Sequence, residues 1–77
     1  MRKGLNIMIL EIGKVVKVRN DLEVGECYWN EEKTDFEVFT EDMEVTKGKE
    51  YMILAKEENG FILNWLGTVY TYDMLEH

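Results

Sequence analysis

The sequence predicts an all-β domain, and three observations carry that prediction. Residues of β preference (Val, Ile, Thr, Tyr, Phe, Trp) abound, whereas the best helix former, alanine, occurs once in 77 residues. No window of roughly 11 or more residues carries a helical apolar stripe. Asn59-Gly60 also sits between two β-rich runs, a strong hairpin signal because both residues tolerate positive φ.

Taken in order, Lys14–Val18, after Gly13, reads as a half-buried first strand. Val16 and Val18 share its inner face, with Ile12 in the same register, while Lys17 and Arg19 point outward. Asn20-Asp21 ends it in a turn. Leu22–Asp35 is polar and acidic, relieved by Cys27-Tyr28-Trp29, and reads as a long loop. Phe36–Phe39 is a short strand. Thr40-Glu41-Asp42-Met43 then makes one helical turn, with Thr40 as N-cap and acids in the favoured first turn. Lys47-Gly48-Lys49 is the next turn. Glu50–Lys56 and Phe61–Trp65 form the hairpin around Glu57-Glu58-Asn59-Gly60, with Phe61, Leu63 and Trp65 on one face. Gly67 bends the chain into a last strand, Thr68–Tyr72, and Asp73-Met74-Leu75 turns again. About five short strands with one-turn helical caps define a small barrel of the SH3-like type. Closing such a sheet removes exposed edges, which matters in a chain that has no Pro to blunt them.

The chain carries one internal echo. Phe39-Thr40-Glu41-Asp42-Met43 recurs 31 residues later as Tyr70-Thr71-Tyr72-Asp73-Met74. Each copy has an aromatic, a capping Thr, an acid at the same offset and a Met that closes an end of the core. Two copies do not make a solenoid, which needs at least three repeats, so the echo reads as structural punctuation.

The run Ile12-Gly13-Lys14-Val15-Val16-Lys17-Val18-Arg19-Asn20-Asp21-Leu22-Glu23-Val24-Gly25 resembles the opening of a family of small proteins from prophages and conjugative elements of Gram-positive bacteria, close to VGDKVRVRKDLEVG. The acidic pair before Met43, the Lys47-Gly48-Lys49 turn, the hairpin and the ending Asp73-Met74-Leu75-Glu76 extend the resemblance over residues 11–76. The chain departs from that pattern at Lys14, where Asp is usual, and in a longer acidic insert around Asn30–Asp35. The resemblance implies an SH3-like barrel in a mobile-element setting, and it supplies no catalytic residue.

Composition narrows the chemistry. There is no Ser, no Pro and no Gln, and a single His and a single Cys. Serine-nucleophile chemistry is excluded, and Cys27 has no partner for an intrachain disulfide or a multi-Cys zinc site. With no second thiol or internal His near it in sequence, Cys27 reads as a small buried hydrophobe. His77 is the last residue, a poor place for a positioned general base. No calcium loop, P-loop or dinucleotide fingerprint is present. The reading is a non-enzymatic protein with no cofactor and no metal.

Charge is the most informative feature. The net charge is −7, and it is unevenly spread: residues 1–19 carry five basic and one acidic side chain, residues 20–77 four basic and fifteen acidic. Asp21–Glu44 holds ten acids and one base, Lys33. Such a segment repels phosphate and suits a basic protein partner, or simply solvates the surface. Of the nine aromatics, Phe36, Phe39, Phe61 and Trp65 are assigned to the core, each worth about 1.5–3 kcal/mol when buried. Tyr28 and Trp29, with Glu31, Glu32 and Asp35 beside them and Tyr70 and Tyr72 on the last strand, are the candidate partner-binding residues. The alternative is a nucleic-acid-binding KOW-like or SH3-like barrel using Lys14, Lys17 and Arg19, which charge disfavours.

The termini are read apart from this domain. Residues 1–10 form a flexible preface: Arg2-Lys3-Gly4 is what a purine-rich ribosome-binding site would encode, which makes Met8 a candidate natural start. Leu75-Glu76-His77 resembles the start of a purification tag, but the family resemblance assigns Leu75-Glu76 to the protein, and His77 is given no role. Leu5–Leu10 is too short and too broken by Asn6 for a signal peptide, and nothing approaches the roughly 20 apolar residues of a membrane helix. A lone thiol fits a reducing compartment, and the expected location is the cytoplasm.

Overall fold

A computed structural model describes residues 10–65 and 67–77. They fold as β1 (Val15–Lys17), β2 (Cys27–Trp29), β3 (Phe36–Val38), a 3-10 helix (Glu41–Thr46), β4 (Glu50–Glu57), β5 (Gly60–Leu63), β6 (Val69–Tyr70) and a second 3-10 helix (Tyr72–Met74). The strands form two antiparallel sheets, a four-stranded one in the order β1-β4-β5-β6 and the two-stranded ribbon β2-β3. The chain is therefore all-β, with helical content limited to the two short 3-10 turns among the described residues.

β1 and β6 are the edges of the larger sheet, and they do not pair with each other. Past β6 the second 3-10 helix carries the chain back beside β1. There it makes one antiparallel bridge, Val18↔Leu75, flanked by Arg19 N–H to Met74 O (2.9 Å) and Glu76 N–H to Lys17 O (2.8 Å). The named strands thus leave the sheet open where a closed barrel is expected.

The core gathers Val16, Val18, Leu22, Phe39, Met43, Ile53, Phe61, Leu63, Tyr70, Met74 and Leu75. Both copies of the echo take part: Phe39 and Tyr70 are buried, and so are Met43 and Met74, each in a 3-10 turn that follows a strand. Thr40 and Thr71 hold the two N-cap positions with extended backbones. The Thr40 carbonyl accepts the Met43 N–H at 3.0 Å, and the Thr40 N–H points to Met43 Sδ at 3.3 Å. The expected preface falls on residues 1–10, of which 1–9 lie outside the described residues; Leu10 is buried in the core.

Several expectations are corrected. Ile12 is exposed, because the turn at Gly13 (φ +92°) breaks its register with β1. The expected long loop over Leu22–Asp35 contains β2, since Cys27-Tyr28-Trp29 pairs with Phe36-Glu37-Val38 in the register Cys27↔Val38, Tyr28↔Glu37, Trp29↔Phe36. Phe36 is not core. It lies three residues from buried Phe39, and on a strand with period two that places the two rings on opposite faces. Cys27 shares the outward face and is exposed. Trp65 is half-buried past the end of β5, its ring 6.5 Å from that of Tyr51.

The β4–β5 hairpin forms, but its turn is Glu58-Asn59, closed by the pair Glu57↔Gly60. Neither turn residue takes positive φ, and Gly60 is needed for a different reason. The backbone of β6 runs so close over it that a Cβ at Gly60 would collide with the Tyr70 carbonyl. Among the described residues no helix is long and apolar enough to cross a membrane.

Candidate partner-binding site

Two asparagines join the acidic segment to the main sheet. Asn30, buried directly after β2, organises the loop to β3. Its Oδ1 accepts the N–H groups of Thr34 (2.9 Å) and Asp35 (3.3 Å), and its Nδ2 donates to Thr34 Oγ1 (3.0 Å). That scaffold holds Lys33 at φ 61°, the one non-glycine residue with positive φ among those described. Asn59, at the turn of the β4–β5 hairpin, donates through Nδ2 to Asp35 Oδ2 (3.2 Å) and Glu37 Oε2 (3.0 Å). The tips of the two hairpins are thereby tied side by side.

Between them lies a cleft of about 370 Å³. Exposed Glu31 and Glu32 from the β2–β3 loop stand on one side, and exposed Glu57 and Glu58 from the β4–β5 turn on the other. Buried Leu10 and Phe61 and half-buried Tyr72 supply apolar lining, and Lys56 is its one cation among the described residues. No three His, Cys, Asp or Glu side chains among the described residues converge closely enough to hold a metal ion. The four carboxylates are therefore a distributed negative field over an apolar surface. Such a field attracts an ammonium or guanidinium group whose alkyl stem packs below.

The other expected partner-binding residues divide. Trp29 is exposed, 41% by area, and its ring meets Phe36 edge-on at 5.4 Å. Tyr28 faces the opposite way, half-buried against Phe39 at 6.3 Å, with its hydroxyl accepting the Glu23 N–H at 2.8 Å. Asp35 is held by Asn59. Tyr70 is fully buried and cannot contact a partner; its hydroxyl lies 3.0 Å from Thr46 Oγ1, and burial pushes its phenol above the ordinary value. Tyr72 joins Glu31 and Glu32 at the cleft. Asn30, Asn59, Glu57 and Glu58 were outside the expected set. The Asn59-Gly60 turn signal was the only trace of Asn59 in the sequence, and it pointed to backbone conformation rather than to a bridging side chain.

Of the basic candidates Arg19 is engaged, whereas Lys14 and Lys17 are exposed. Arg19 grips Asp21 through Nε to Oδ1 (3.0 Å) and NH2 to Oδ2 (2.9 Å), and its NH1 donates to Asp73 O at 2.6 Å. The Asp21 hydrogen bond raises the Arg19 pKa, and the guanidinium in turn lowers that of the exposed Asp21 carboxyl. Lys17 stands directly across from Glu50, and Lys14 is exposed one residue before β1. The Lys47–Lys49 turn does lie against this end of β1, through Gly48 N–H to Val18 O (2.9 Å) and Val18 N–H to Lys49 O (3.0 Å). The aromatic beside Arg19 is half-buried Tyr28, with the guanidinium carbon 5.8 Å from its ring centre. No protein-family model, curated protein or solved structure matches the chain.

Proposed function

We propose that this chain is a non-enzymatic protein-interaction module that uses its acidic face to receive a basic partner. In this reading it is an SH3-like barrel of the cytoplasm, carried by a mobile element. The return of Leu75 to β1 supports the barrel topology, and the likeness over residues 12–25 supports the setting. One observation carries the function: folding joins Glu31-Glu32, far from Glu57-Glu58 in sequence, around one apolar-lined cleft. Solubility alone does not require acids from two separate hairpins to converge.

The test is binding of fluorescent lysine- and arginine-containing peptides, read by anisotropy across a salt series. Affinity should fall as salt shortens the screening length from about 30 Å at 0.01 M to about 8 Å at 0.15 M. Glu31→Lys with Glu32→Lys should weaken binding about tenfold or more, the loss of two close charge contacts. Failure of every basic peptide to bind at low salt sinks the reading, as does tighter binding of single-stranded or duplex oligonucleotides.

A further inference from the structure

Among the described residues, the β2–β3 ribbon leaves one of its faces exposed. Side chains alternate along it, so Tyr28 and Glu37 turn one way while Cys27, Trp29, Phe36 and Val38 turn the other. All four of the latter are exposed, Phe36 by 42% and Val38 by 43% of their areas. They form two directly opposed cross-strand pairs, Cys27↔Val38 and Trp29↔Phe36, and hence one contiguous apolar surface. A ribbon that serves only to cover the core on one side carries polar residues on the other. This one is apolar outside and acidic around its margin.

The charge around this surface says what covers it. Exposed Glu26, Glu31 and Glu32 flank the ribbon's two strands, and Asp35 adjoins Phe36 at the start of β3. The ribbon's one cation, Lys33, is committed to Asp73 at 3.1 Å. Among the described residues, Asp21 is the only acid of Asp21–Glu44 that meets a cation in an ion pair. A second copy of the chain seated here would set two such acidic segments against each other, so self-association is opposed. A partner that brings its own cations is favoured twice, by apolar burial and by attraction at the rim.

We infer that the outer face of β2–β3 is a docking surface for an amphipathic helix of a partner protein, whose apolar stripe packs on Trp29 and Phe36 and whose flanking lysines and arginines meet the surrounding carboxylates. The dimensions agree: residues two apart on a strand are separated by about 6.8 Å and neighbouring strands by about 4.8 Å. Helix side chains three or four apart lie about 5–6 Å from one another. The inference rests on the acidic-surface reading above and adds its apolar half. Cys27, the only thiol in the chain, stands on this face as a built-in reporter.

The experiment uses the full chain and two probes, an amphipathic helical peptide of leucines and lysines and an oligolysine of equal charge. The expected result is that the amphipathic peptide binds about tenfold or more tightly than oligolysine, the scale of an aromatic hot spot. It should also slow alkylation of Cys27 by iodoacetamide, which oligolysine should not. Trp29→Thr with Phe36→Thr should reduce amphipathic binding to the oligolysine level. If alkylation is not slowed by bound peptide, or if the double variant binds unchanged while Glu31→Lys/Glu32→Lys weakens both probes, the docking face is overturned and the acidic reading stands. If neither probe binds, both are overturned. Alkylation that slows with protein concentration alone, with a matching mass increase in sedimentation, would make a second copy the occupant and overturn the inference. Should the double variant fail to fold, judged by circular dichroism, the protection of Cys27 in the unmodified chain still decides.

Discussion

The hydroxyl of Tyr70 donates its proton to Thr46 Oγ1 at 3.0 Å. The direction follows from Thr46, whose own proton is spent on the Met43 carbonyl at 2.6 Å. Both side chains are fully buried, so a polar relay that runs from β6 into the first 3-10 helix is sealed from water. Thr46→Val keeps the shape but strands the Tyr70 hydroxyl and frees the Met43 carbonyl. It should cost about 1–3 kcal/mol, the penalty of a buried unsatisfied polar group. Tyr70→Phe removes the donor and leaves the Thr46–Met43 bond in place, so it should cost less, about 1 kcal/mol. Urea denaturation of both variants and of the double variant checks the order. Equal costs would refute the assigned direction.

The same tyrosine sets an alkaline limit. Burial, the largest cause, raises the Tyr70 phenol above its ordinary value of 10.0. A group whose folded pKa is raised contributes stability that is complete below the unfolded pKa and is lost as pH rises toward the folded one. Stability should therefore fall above about pH 10 more steeply in the unmodified chain than in Tyr70→Phe. Chemical denaturation from pH 8 to 11.5 measures this, and parallel curves for the two proteins would contradict it.

At the second N-cap the threonine is an expense without a return. Thr71 Oγ1 is buried and has no hydrogen-bond partner among the described residues, and the residue's backbone is extended at φ −76° and ψ 166°, a conformation that suits a β-branched side chain. Thr71→Val should stabilise the protein by up to about 1 kcal/mol, whereas the like change at Thr46 destabilises it. The contrast is read from two urea midpoints. A loss of stability in Thr71→Val would mean that the hydroxyl is satisfied after all.

These paired positions show where the sequence was legible. The echo of Phe39–Met43 in Tyr70–Met74 marks both 3-10 turns and both buried methionines, because an aromatic and a Met at fixed offsets from a Thr are a local pattern, although neither Thr makes a side-chain cap bond. It did not reveal that Tyr70 is as buried as Phe39, since a phenol at the end of a strand is buried only if a remote hydroxyl receives its proton. Thr46 lies 24 residues away, outside any window. Aromatic content points Phe36 to the core, but its three-residue spacing from Phe39 on a strand of period two turns it outward. β2 was hidden because its partner lies across a loop organised by Asn30, a side-chain scaffold with no periodicity. The cleft is half legible: the sequence marks Glu31, Glu32 and Tyr72, whereas Glu57 and Glu58 join them through the tie at Asn59.

Gly60 tests the close packing of β5 under β6. Its φ is not positive, so the residue is not required for turn geometry, yet a Cβ would strike the Tyr70 carbonyl and crowd Thr71 Cα. Backbone has no alternative rotamer, so Gly60→Ala should destabilise by about 1–3 kcal/mol, as overpacking does. Thermal unfolding gives the number. A neutral result would show that β6 sits farther from β5 than the register Phe61↔Tyr70 implies.

Asn59 is where fold and proposed function meet. Its single amide nitrogen serves two carboxylates, Asp35 and Glu37, and is the donor they share. Asn59→Ala should cost about 1 kcal/mol, the low end for bonds to charged acceptors because this site is only half-buried. Asn59→Asp should cost more, since it places a third carboxylate beside the other two, and the excess should shrink as salt is raised. In both variants the hairpin tips separate and Glu31-Glu32 lose their fixed relation to Glu57-Glu58. Affinity for a basic peptide should therefore drop in Asn59→Ala although no charge has changed. Unchanged affinity there would show that the two acidic pairs act independently and that the cleft between them is not the unit of recognition.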